Sequence, residues 1–294
     1  MESNDYTLVT LANGTFSIRL IANGETFHPV IGPMAEAEAL YIRQLKLRER
    51  APVEDKFVIW DIGLGAGGNV LTMLHQLKDV PAHLHIVSFD HTLGALRFAL
   101  EHAAALQFPV GLESVLEELL HTRRVEFRHG ALQVTWEIHV GDFPAALTAA
   151  NPAWPAPHAI FFDAYSPARN PAMWTLPLFE NLFRRLDPQR PCTLATYTRS
   201  TIPRVTLLLA GFFVGAGDPV AAKNETTIAS NNLELIARPL GARWLERART
   251  SHSAEPLHAN EYRIAPLAAE TWERLRAHPQ FNGETSLSQA GSGC

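Results

Sequence analysis

Two short apolar runs enclose a glycine-rich segment in the first third of the chain. Phe57–Ile62 and Leu84–Phe89 are rich in β-branched and aromatic residues, which favours two buried strands. After the glycines, apolar residues recur at helical spacing: Val70, Leu71, Leu74 and Leu77. The pattern therefore predicts a strand, a tight turn, a helix and a second strand, which is how a nucleotide-binding βαβ unit begins.

Further apolar runs continue this alternation of strands and helices. Residues 7–31 are predicted to form a hairpin with turns at Asn13-Gly14 and Asn23-Gly24. Helices are predicted over residues 32–50, 92–106, 112–121, 176–187 and 202–211, and the later strands over 124–128, 132–140, 159–163, 192–197, 211–214 and 233–237. This alternation indicates an α/β fold with a doubly wound sheet.

The pattern also predicts how the chain is divided. A Rossmann-like domain is expected at its centre, between two extensions. The predicted parts are an N-terminal hairpin and helix extension (1–52), the Rossmann-like domain (53–238) and a C-terminal extension (239–294).

The glycine turn is compatible with two kinds of cofactor. Gly63, Gly65 and Gly68 fit the dinucleotide pattern G-x-G-x-x-G, and Asp90 follows at the spacing that this pattern expects. Asp61, however, stands at the strand end just before the first glycine, where its carboxylate would repel a pyrophosphate. S-adenosylmethionine has no phosphate and carries an amino group and a sulfonium, so the sequence favours this donor over a nicotinamide or flavin.

Acidic residues end four of the predicted strands. They are Asp61, Asp90, Asp142 and Asp163. The carboxyl ends of strands in a doubly wound sheet face the ligand, and a carboxylate held there needs a partner. A ligand with an amine, two ribose hydroxyls and an adenine amino group would supply such partners.

Composition excludes several classes of protein. The 294 residues have ordinary hydrophobic content, 47%, and no apolar run as long as a membrane span. The polar N-terminus does not resemble a secretory signal, and Cys192 and Cys294 offer no zinc-binding spacing, so we expect a cytoplasmic protein without a metal. The net charge of −5 is unlike that of most nucleic-acid binders, although basic residues are mainly arginines. Candidates for phosphate contacts are Arg123, Arg124, Arg128, Arg199 and Arg204.

The most specific stretch of the sequence is residues 161–174. It reads FFDAYSPARNPAMW and resembles the F-x-D-[AG]-F-[AS]-P-x-K-N-P-x-[ML]-W motif of the MnmC-like methyltransferase family. The resemblance spans roughly residues 7–255 and includes Gly141-Asp142, Leu194–Thr198 and Gly211-Phe212. Gly24-Glu25-x-x-His28 and the following helix with Glu36 and Glu38 resemble the stand-alone members, which lack an FAD oxidase half.

The resemblance implies a class I S-adenosylmethionine-dependent methyltransferase that acts on the aminomethyl group of a modified wobble uridine in tRNA. A separate oxidase or aminomethyl-forming enzyme is then expected to supply the substrate. The residues implied to bind the cofactor are Asp61, Gly63, Gly65, Gly67, Asp90, Asp142 and Glu25. Asp163 and Tyr165 are the implied catalytic residues, and the implied substrate-binding residues are Ser166, Pro167, Arg169 and His28.

The sequence departs from the family pattern at three places. Tyr165 replaces Phe, Arg169 replaces Lys, and Lys223-Asn224-Glu225 only partly matches a K-R-E stretch. These departures concern the acceptor, so a small-molecule amine methyltransferase or an aminopropyl transferase stays an alternative. Structural roles also remain open at this point. Asp163 could be a helix cap or a turn acid, Tyr165 and Trp174 could be core residues, and Glu25 and His28 could form a loop pair rather than a lid over the donor.

Overall fold

The computed structural model describes residues 5–22, 24–27, 32–106, 111–149, 154–220 and 223–282. A two-stranded hairpin precedes an eight-stranded sheet. The strands are β1 Tyr6–Thr10, β2 Phe16–Leu20, β3 Phe57–Ile62, β4 His83–Asp90, β5 Arg124–His129, β6 Leu132–Val140, β7 Ala159–Phe162, β8 Thr193–Thr196, β9 Phe213–Gly217 and β10 Thr226–Ser230.

The order of strands in the large sheet is β5-β6-β4-β3-β7-β8-β10-β9. β6, β4, β3, β7 and β8 are parallel neighbours, whereas β5 and β10 run antiparallel to the strands beside them. The chain builds outward from β3 to one edge and then returns to β7 on the other side of β3. Such a reversal is the topological switch point at which doubly wound sheets bind ligands, and it confirms the predicted α/β fold.

Helices cover both faces of the sheet, so β3 is buried on both sides. Phe57 and Ile59 of this strand enter one core cluster, whereas Val58 and Trp60 enter the other. This alternation is what a strand with period two produces between two helix layers. The helices are α1 Pro33–Ala37, α2 Leu47–Arg50, α3 Gly68–Leu77, α4 Gly94–Glu101, α5 Ala103–Leu106, α6 Glu113–Thr122, α7 Phe143–Thr148, α8 Leu176–Arg184, α9 Thr201–Leu209, α10 Ala242–Arg249, α11 Ala269–Arg276 and α12 Pro279–Asn282.

The segment predicted as one helix over 32–50 is interrupted. A π-helix, Glu38–Arg43, follows α1 directly, and α2 begins only after Lys46, which has a left-handed φ of 52°. Short 3₁₀ helices add further turns at Ala51–Val53, Pro171–Trp174 and Leu233–Leu235. The prediction of a single helix was wrong because helix propensity does not register a widened turn that tertiary packing imposes.

The last predicted strand, 233–237, was also wrong. Residues 233–235 form the 3₁₀ helix, capped by the side chain of Asn232, and the strand is instead β10. β10 is fully buried between β8 and β9, and its threonines and isoleucine suit a strand. Leu233 is an exposed apolar residue, so the alternation that suggested a strand was not a sign of burial.

The C-terminal extension packs onto the same core as the central domain. Trp244, Leu257 and Phe281 belong to the core cluster on the α8–α9 face. The Gln280 amide donates to the carbonyl of Val214 and accepts from its N–H, at 2.8 and 2.7 Å. The proposed boundary at residue 238 stays a prediction. In the part of the chain that the structure describes, no helix is long and apolar enough to cross a membrane.

Candidate active site

A cavity of about 890 Å³ lies at the carboxyl ends of the parallel strands. Its walls come from the turn after β3, the ends of β4, β6, β7 and β8, the N-terminal hairpin and α1. The lining acids are Glu25, Glu36, Asp90, Asp142 and Asp163, against the basic residues His91, Arg169 and Lys223. A mostly acidic lining favours a ligand with positive charge and disfavours a pyrophosphate.

The glycine turn adopts a conformation that residues with a Cβ rarely reach. Gly63 has a φ of 94°, and its N–H donates to the carbonyl of Phe89 at 2.9 Å. A Cβ on Gly63 would lie 2.8 Å from the carbonyl carbon of Asp163, well inside van der Waals contact. Gly65 and Gly67 also have positive φ, and Gly67 precedes α3 directly. The turn therefore presses the loop after β3 against the loop after β7.

Asp90 fixes the turn from the end of β4. One carboxylate oxygen accepts from the N–H of Gly65 at 2.8 Å, and the other accepts from the N–H of Thr92 at 3.1 Å. His91 lies 3.1 Å from the same carboxylate, and this hydrogen bond raises the pKa of His91. Each carboxylate oxygen has two lone pairs, so Asp90 keeps acceptor capacity for the two hydroxyls of a ribose.

Asp61 is buried beneath the cavity and does not line it. The indole of Trp136 donates to the Ser88 hydroxyl at 3.0 Å, and this hydroxyl donates to Asp61 at 2.8 Å. The second carboxylate oxygen of Asp61 is buried without a hydrogen-bond partner among the described residues. Burial, reinforced by the charges of Asp163 and Asp90, raises the pKa of Asp61 to about 7, against the lowering effect of the Ser88 bond. Direct contact with the cofactor stays a prediction for Asp61.

Asp142 has a structural role in addition to the predicted one. It is the N-cap of α7, and its side chain accepts from the N–H of Ala145 at 2.8 Å. It also lines the cavity at the end of β6, next to Gly141. The cap uses one carboxylate oxygen, so contact between Asp142 and an adenine stays a prediction for the other.

Asp163 lies at the end of β7, beside the glycine turn. The amide nitrogen of Asn69, at the start of α3, donates to the Asp163 carboxylate at 3.0 Å. Asp163 is not the N-cap of a helix in the described parts of the chain, because the 3₁₀ helix after it begins beyond Asn170. The helix-cap alternative for Asp163 was therefore wrong, whereas its alternative role as a turn acid is not tested by this observation.

Tyr165 is held in an unusual backbone conformation. Its φ of 54° is in the left-handed region, which costs a bulky residue free energy. The buried indole of Trp174 donates to the Tyr165 carbonyl at 3.0 Å and so supports this conformation. Burial, with the charges of Tyr6 and Asp90, raises the pKa of the Tyr165 phenol, which stays neutral. Trp174 is a buried core residue, as the packing alternative proposed, although it also borders the cavity that Tyr165 lines.

The residues after Tyr165 form a tight turn on the cavity wall. The carbonyl of Ser166 accepts from the N–H groups of Arg169 and Asn170 at 3.0 and 2.9 Å. Pro167 is buried in this turn, whereas Ser166 and Arg169 are exposed. All three predicted substrate-binding residues of the motif therefore line the cavity.

The N-terminal hairpin covers one side of the cavity. The Ser17 hydroxyl donates to the carbonyl of Phe27, whose N–H donates to the carbonyl of Ile18 at 2.8 Å. The Phe27 ring contacts Tyr165 edge to face, with 6.1 Å between ring centroids, and lies next to Gly65. Glu25 also lines the cavity, as the lid prediction requires, and His28 lies outside the described residues.

One of the arginines proposed for phosphate contacts was wrong. Arg204 is 1% exposed and binds Glu225, Thr226 and Thr227. Another, Arg128, is exposed, and its contact with phosphate stays a prediction. Arg128 pairs with the start of β6, at the end of the sheet opposite the cavity. The sequence shows neither burial nor strand direction for a single arginine.

The other three arginines differ in their availability. Arg123 donates to the carbonyl of Leu120, and Arg124 pairs with Glu126 and Glu137. Arg199 is exposed, between two residues that line the cavity. Arg199 therefore remains the best placed of these candidates.

Several cavity residues were missed by the sequence analysis. They are Tyr6, Phe27, Tyr41, Asn69 and Tyr197. Most lie in segments whose apolar and aromatic residues looked like ordinary core. Only their closeness in space to the motif distinguishes them from core residues, and the sequence does not give that closeness. Among the described residues, no group of three or more His, Cys, Asp or Glu side chains could hold a metal ion.

Part of the chain matches a known protein family. Residues 104–232 match the Methyltransf_30 family, described as S-adenosyl-L-methionine-dependent methyltransferases. The proteins named tRNA 5-methylaminomethyl-2-thiouridine biosynthesis bifunctional protein MnmC from Burkholderia mallei (strain SAVP1) and Burkholderia pseudomallei (strain 668) are 31% identical to the chain over 236 residues. The match covers 76% of this chain and 35% of theirs, so the chain spans about a third of the length of these curated relatives.

A solved structure confirms the fold. The crystal structure of MNMC2 from Aquifex aeolicus matches with a TM-score of 0.67 and 23% sequence identity, over 92% of this chain and 84% of that one. The predicted cofactor is confirmed by the matching family, and the acidic cavity above the glycine turn fits it. The chain therefore carries an S-adenosyl-L-methionine-dependent methyltransferase domain and is similar over 76% of its length to the MnmC proteins.

Proposed function

We propose that this protein methylates the nitrogen of an aminomethyl group on a modified wobble uridine of tRNA. The observation that supports the proposal most is the contact between the two loops at the switch point. Because Gly63 packs against the Asp163 carbonyl, the acceptor-side carboxylate lies directly beside the turn that would hold the donor. A separate enzyme must supply the aminomethyl group, and a tRNA acceptor would place the reaction in the cytoplasm.

The donor would be held by the residues of β3, β4 and β6. Asp90 would bind the ribose hydroxyls, Asp142 the adenine, and the turn from Gly63 to Gly67 the methionine part. Glu25 and Phe27 of the hairpin would cover it. When bound, S-adenosylmethionine supplies a methyl group on a positively charged sulfur, and the carboxylates of the cavity complement that charge.

The acceptor nitrogen must be aligned with the methyl group of the donor, and it must first lose a proton. An aminomethyl group is cationic in water, and its nitrogen can accept a methyl group only after it releases a proton. Asp163 would hold the ammonium, with its carboxylate fixed by Asn69, and would take the proton directly or through water. Tyr165 would stack on the uracil ring, as aromatic side chains do with unpaired bases.

We expect Asp163→Asn to lower turnover by about 10²-fold or more, the usual contribution of a positioned acid or base. The substitution keeps the shape of the side chain and removes its charge, so cofactor affinity and thermal stability should change little. The assay is methylation of an anticodon stem-loop carrying 5-aminomethyl-2-thiouridine, followed by mass spectrometry of its nucleosides. Asp187→Asn is the matched control, because Asp187 is distant from the cavity and only caps a turn at Gln189.

Two results would contradict the proposal. An Asp163→Asn variant with near-normal turnover would remove Asp163 from the catalytic residues. Methylation of free amines such as putrescine, without methylation of the stem-loop, would establish the small-amine alternative instead.

A further inference from the structure

The C-terminal extension sends one loop to the mouth of the cavity. Among the described residues beyond Lys223, Asn260 alone lines the cavity. Asn260 belongs to a segment without helix or strand, residues 254–265, which we call the C-terminal loop. The cofactor and the acceptor amine are assigned to other elements, so the proposed function leaves this loop without a role.

Hydrogen bonds at its base close the C-terminal loop. The N–H groups of Ala254 and Glu255 both donate to the carbonyl of Ala265, at 2.9 and 3.0 Å. The Glu255 carboxylate accepts from the N–H of Ala268 at 2.8 Å and from the Thr271 hydroxyl at 2.7 Å, which ties the base of the loop to α11. A loop whose two ends are held together in this way has a defined position on the surface.

A second anchor joins the C-terminal loop to the segment that follows the motif. Leu257 is buried in the core, its carbonyl accepts from the N–H of Leu176 at 2.7 Å, and it forms a β-bridge with Thr175. These two partners come directly after Trp174, the last residue of the motif, whose indole donates to the Tyr165 carbonyl. The loop is therefore attached to the same region that holds the Tyr165 turn.

The tip of the C-terminal loop exposes an aromatic ring beside a positive charge. Tyr262 is 38% exposed and Ile264 is 63% exposed. Arg263, between them, is exposed and forms no ion pair with a described residue, and Glu261 is the one acid of the tip, residues 258–264. An aromatic ring and an arginine are side chains with which proteins hold single-stranded nucleic acid, because the ring stacks on any base and the guanidinium binds phosphate.

We infer that the C-terminal loop binds a nucleotide next to the target uridine, with Tyr262 stacked on its base and Arg263 at its phosphate; this inference rests on the proposed function. A nucleotide that enters the cavity stays linked through its phosphates, so its neighbours must lie at the mouth. Asn260 lines the cavity and Tyr262, two residues later, does not, so the loop passes from the cavity to the surface over this short distance. The bases of an anticodon loop are unpaired, and their faces are available to an aromatic side chain.

The charges around the mouth agree with an RNA strand as the occupant. Arg169 is exposed and lines the cavity, and Arg199 is exposed between two residues that line it. These arginines and Arg263 would attract phosphates to the surface, whereas the acids inside the cavity would attract the amine. A small amine would lie wholly inside the cavity and would not reach Tyr262, so the loop should matter for an RNA acceptor alone.

The test combines a variant of the loop with an RNA that lacks one base. Fluorescence anisotropy measures how tightly the protein, with S-adenosylhomocysteine bound, holds an aminomethylated anticodon stem-loop and two stem-loops that are abasic on the 5′ or the 3′ side of the target uridine. Tyr262→Ala should weaken binding of the intact stem-loop about tenfold, on the scale of one stacked base. One of the abasic stem-loops should bind the wild type equally weakly, and Tyr262→Ala should weaken that binding no further, because the same contact is already lost.

Further variants separate stacking from damage to the fold. Tyr262→Phe keeps the ring and should restore the affinity for intact RNA. Leu233→Ala is the matched control, because Leu233 is 37% exposed and follows β10 near the amino end of β8, opposite the cavity. Arg263→Gln should reduce the slope of log affinity against log salt by roughly 0.7, the value of one phosphate contact with a single strand. Arg243→Gln should not, since Arg243 is an exposed residue of α10, which does not line the cavity.

The outcomes distinguish failure of this inference from failure of the proposed function. Wild-type affinity of Tyr262→Ala for intact RNA would overturn the inference. So would a full further loss with both abasic stem-loops, or a Tyr262→Phe variant as weak as Tyr262→Ala. In each of these cases, methylation of the stem-loop by the wild type would leave the proposed function standing. Coupling between Tyr262 and one neighbouring base, without methylation of the stem-loop, would support the RNA-binding loop and overturn the proposed reaction alone.

Discussion

Replacing Asp61 with asparagine should stabilise the ligand-free protein at alkaline pH while weakening cofactor binding. Asp61 is 1% exposed, and one of its oxygens has no partner among the described residues. Burial is the main cause that raises its pKa from 3.8 to about 7, and the Ser88 hydrogen bond offsets only part of it. The folded state therefore binds a proton at Asp61 that the unfolded state has already released.

The sign and size of the effect follow from that difference. A carboxyl group whose pKa is raised on folding lowers the free energy of unfolding as pH rises from about 4 to about 7. Above pH 7 the group is ionised in both states, and the full loss of stability applies. A tenfold change in an ionisation equilibrium is worth about 1.4 kcal/mol, so a pKa moved from 3.8 to about 7 corresponds to roughly 4 kcal/mol. Asparagine can still accept from Ser88 but must bury its amide, so we expect a gain of about 1 to 3 kcal/mol.

Urea unfolding at about pH 5 and about pH 8 measures the effect, and linear extrapolation gives the free energy of unfolding at each pH. Asp61→Asn should be more stable than the wild type at the higher pH and should differ less at the lower one. Asp55→Asn serves as the control, because Asp55 is exposed and precedes the same strand. Calorimetric titration should show weaker binding of S-adenosylmethionine to Asp61→Asn, since a negative charge beneath the cavity is lost.

A single pattern would refute this reasoning. If Asp61→Asn lost the same stability at both pH values, the carboxylate would be a satisfied structural group rather than a desolvated charge. Unchanged cofactor affinity in the same variant would show that Asp61 does not act on the donor.

The structure supports two further predictions. Trp174→Phe removes the hydrogen bond from the indole to the carbonyl of Tyr165 and should raise the KM for the acceptor severalfold at unchanged cofactor affinity. A variant with wild-type acceptor kinetics would show that Tyr165 keeps its conformation without this hydrogen bond. Gly63→Ala should abolish activity and lower the free energy of unfolding by several kcal/mol, because its Cβ would overlap the Asp163 carbonyl. Gly14→Ala is the control: Gly14 has a similar φ and no atom within 4 Å of an added Cβ, so this change should lower the free energy of unfolding by about 1 kcal/mol.

Local sequence signals predicted the donor half of the site. The apolar runs of β3 and β4, the glycines between them and Asp90 lie within about thirty residues, so periodicity and turn chemistry determine their arrangement. The motif around Asp163 was predicted by its resemblance to a family. The relation between these two parts was expected because parallel strands end at the same edge of a sheet.

The acceptor half could not be predicted in the same way. Tyr41 reaches the cavity from a π-helix, and no local signal marks that widened turn. The buried ion pair of Arg204 with Glu225 likewise depends on packing between α9 and β10. The strand predicted over 233–237 was wrong because alternation alone does not reveal whether both faces of a segment are covered.

The contact between Gly63 and Asp163 also bears on how such an enzyme can diverge. With the two loops in van der Waals contact, a change of backbone in one must be matched by the other, so both motifs are expected to vary slowly and together. Glu36, Tyr41 and Tyr197 line another part of the same cavity, outside the glycine turn and the motif around Asp163. New acceptor specificities should therefore arise, in nature or in the laboratory, by changes at Glu36, Tyr41 and Tyr197 rather than within the motif itself.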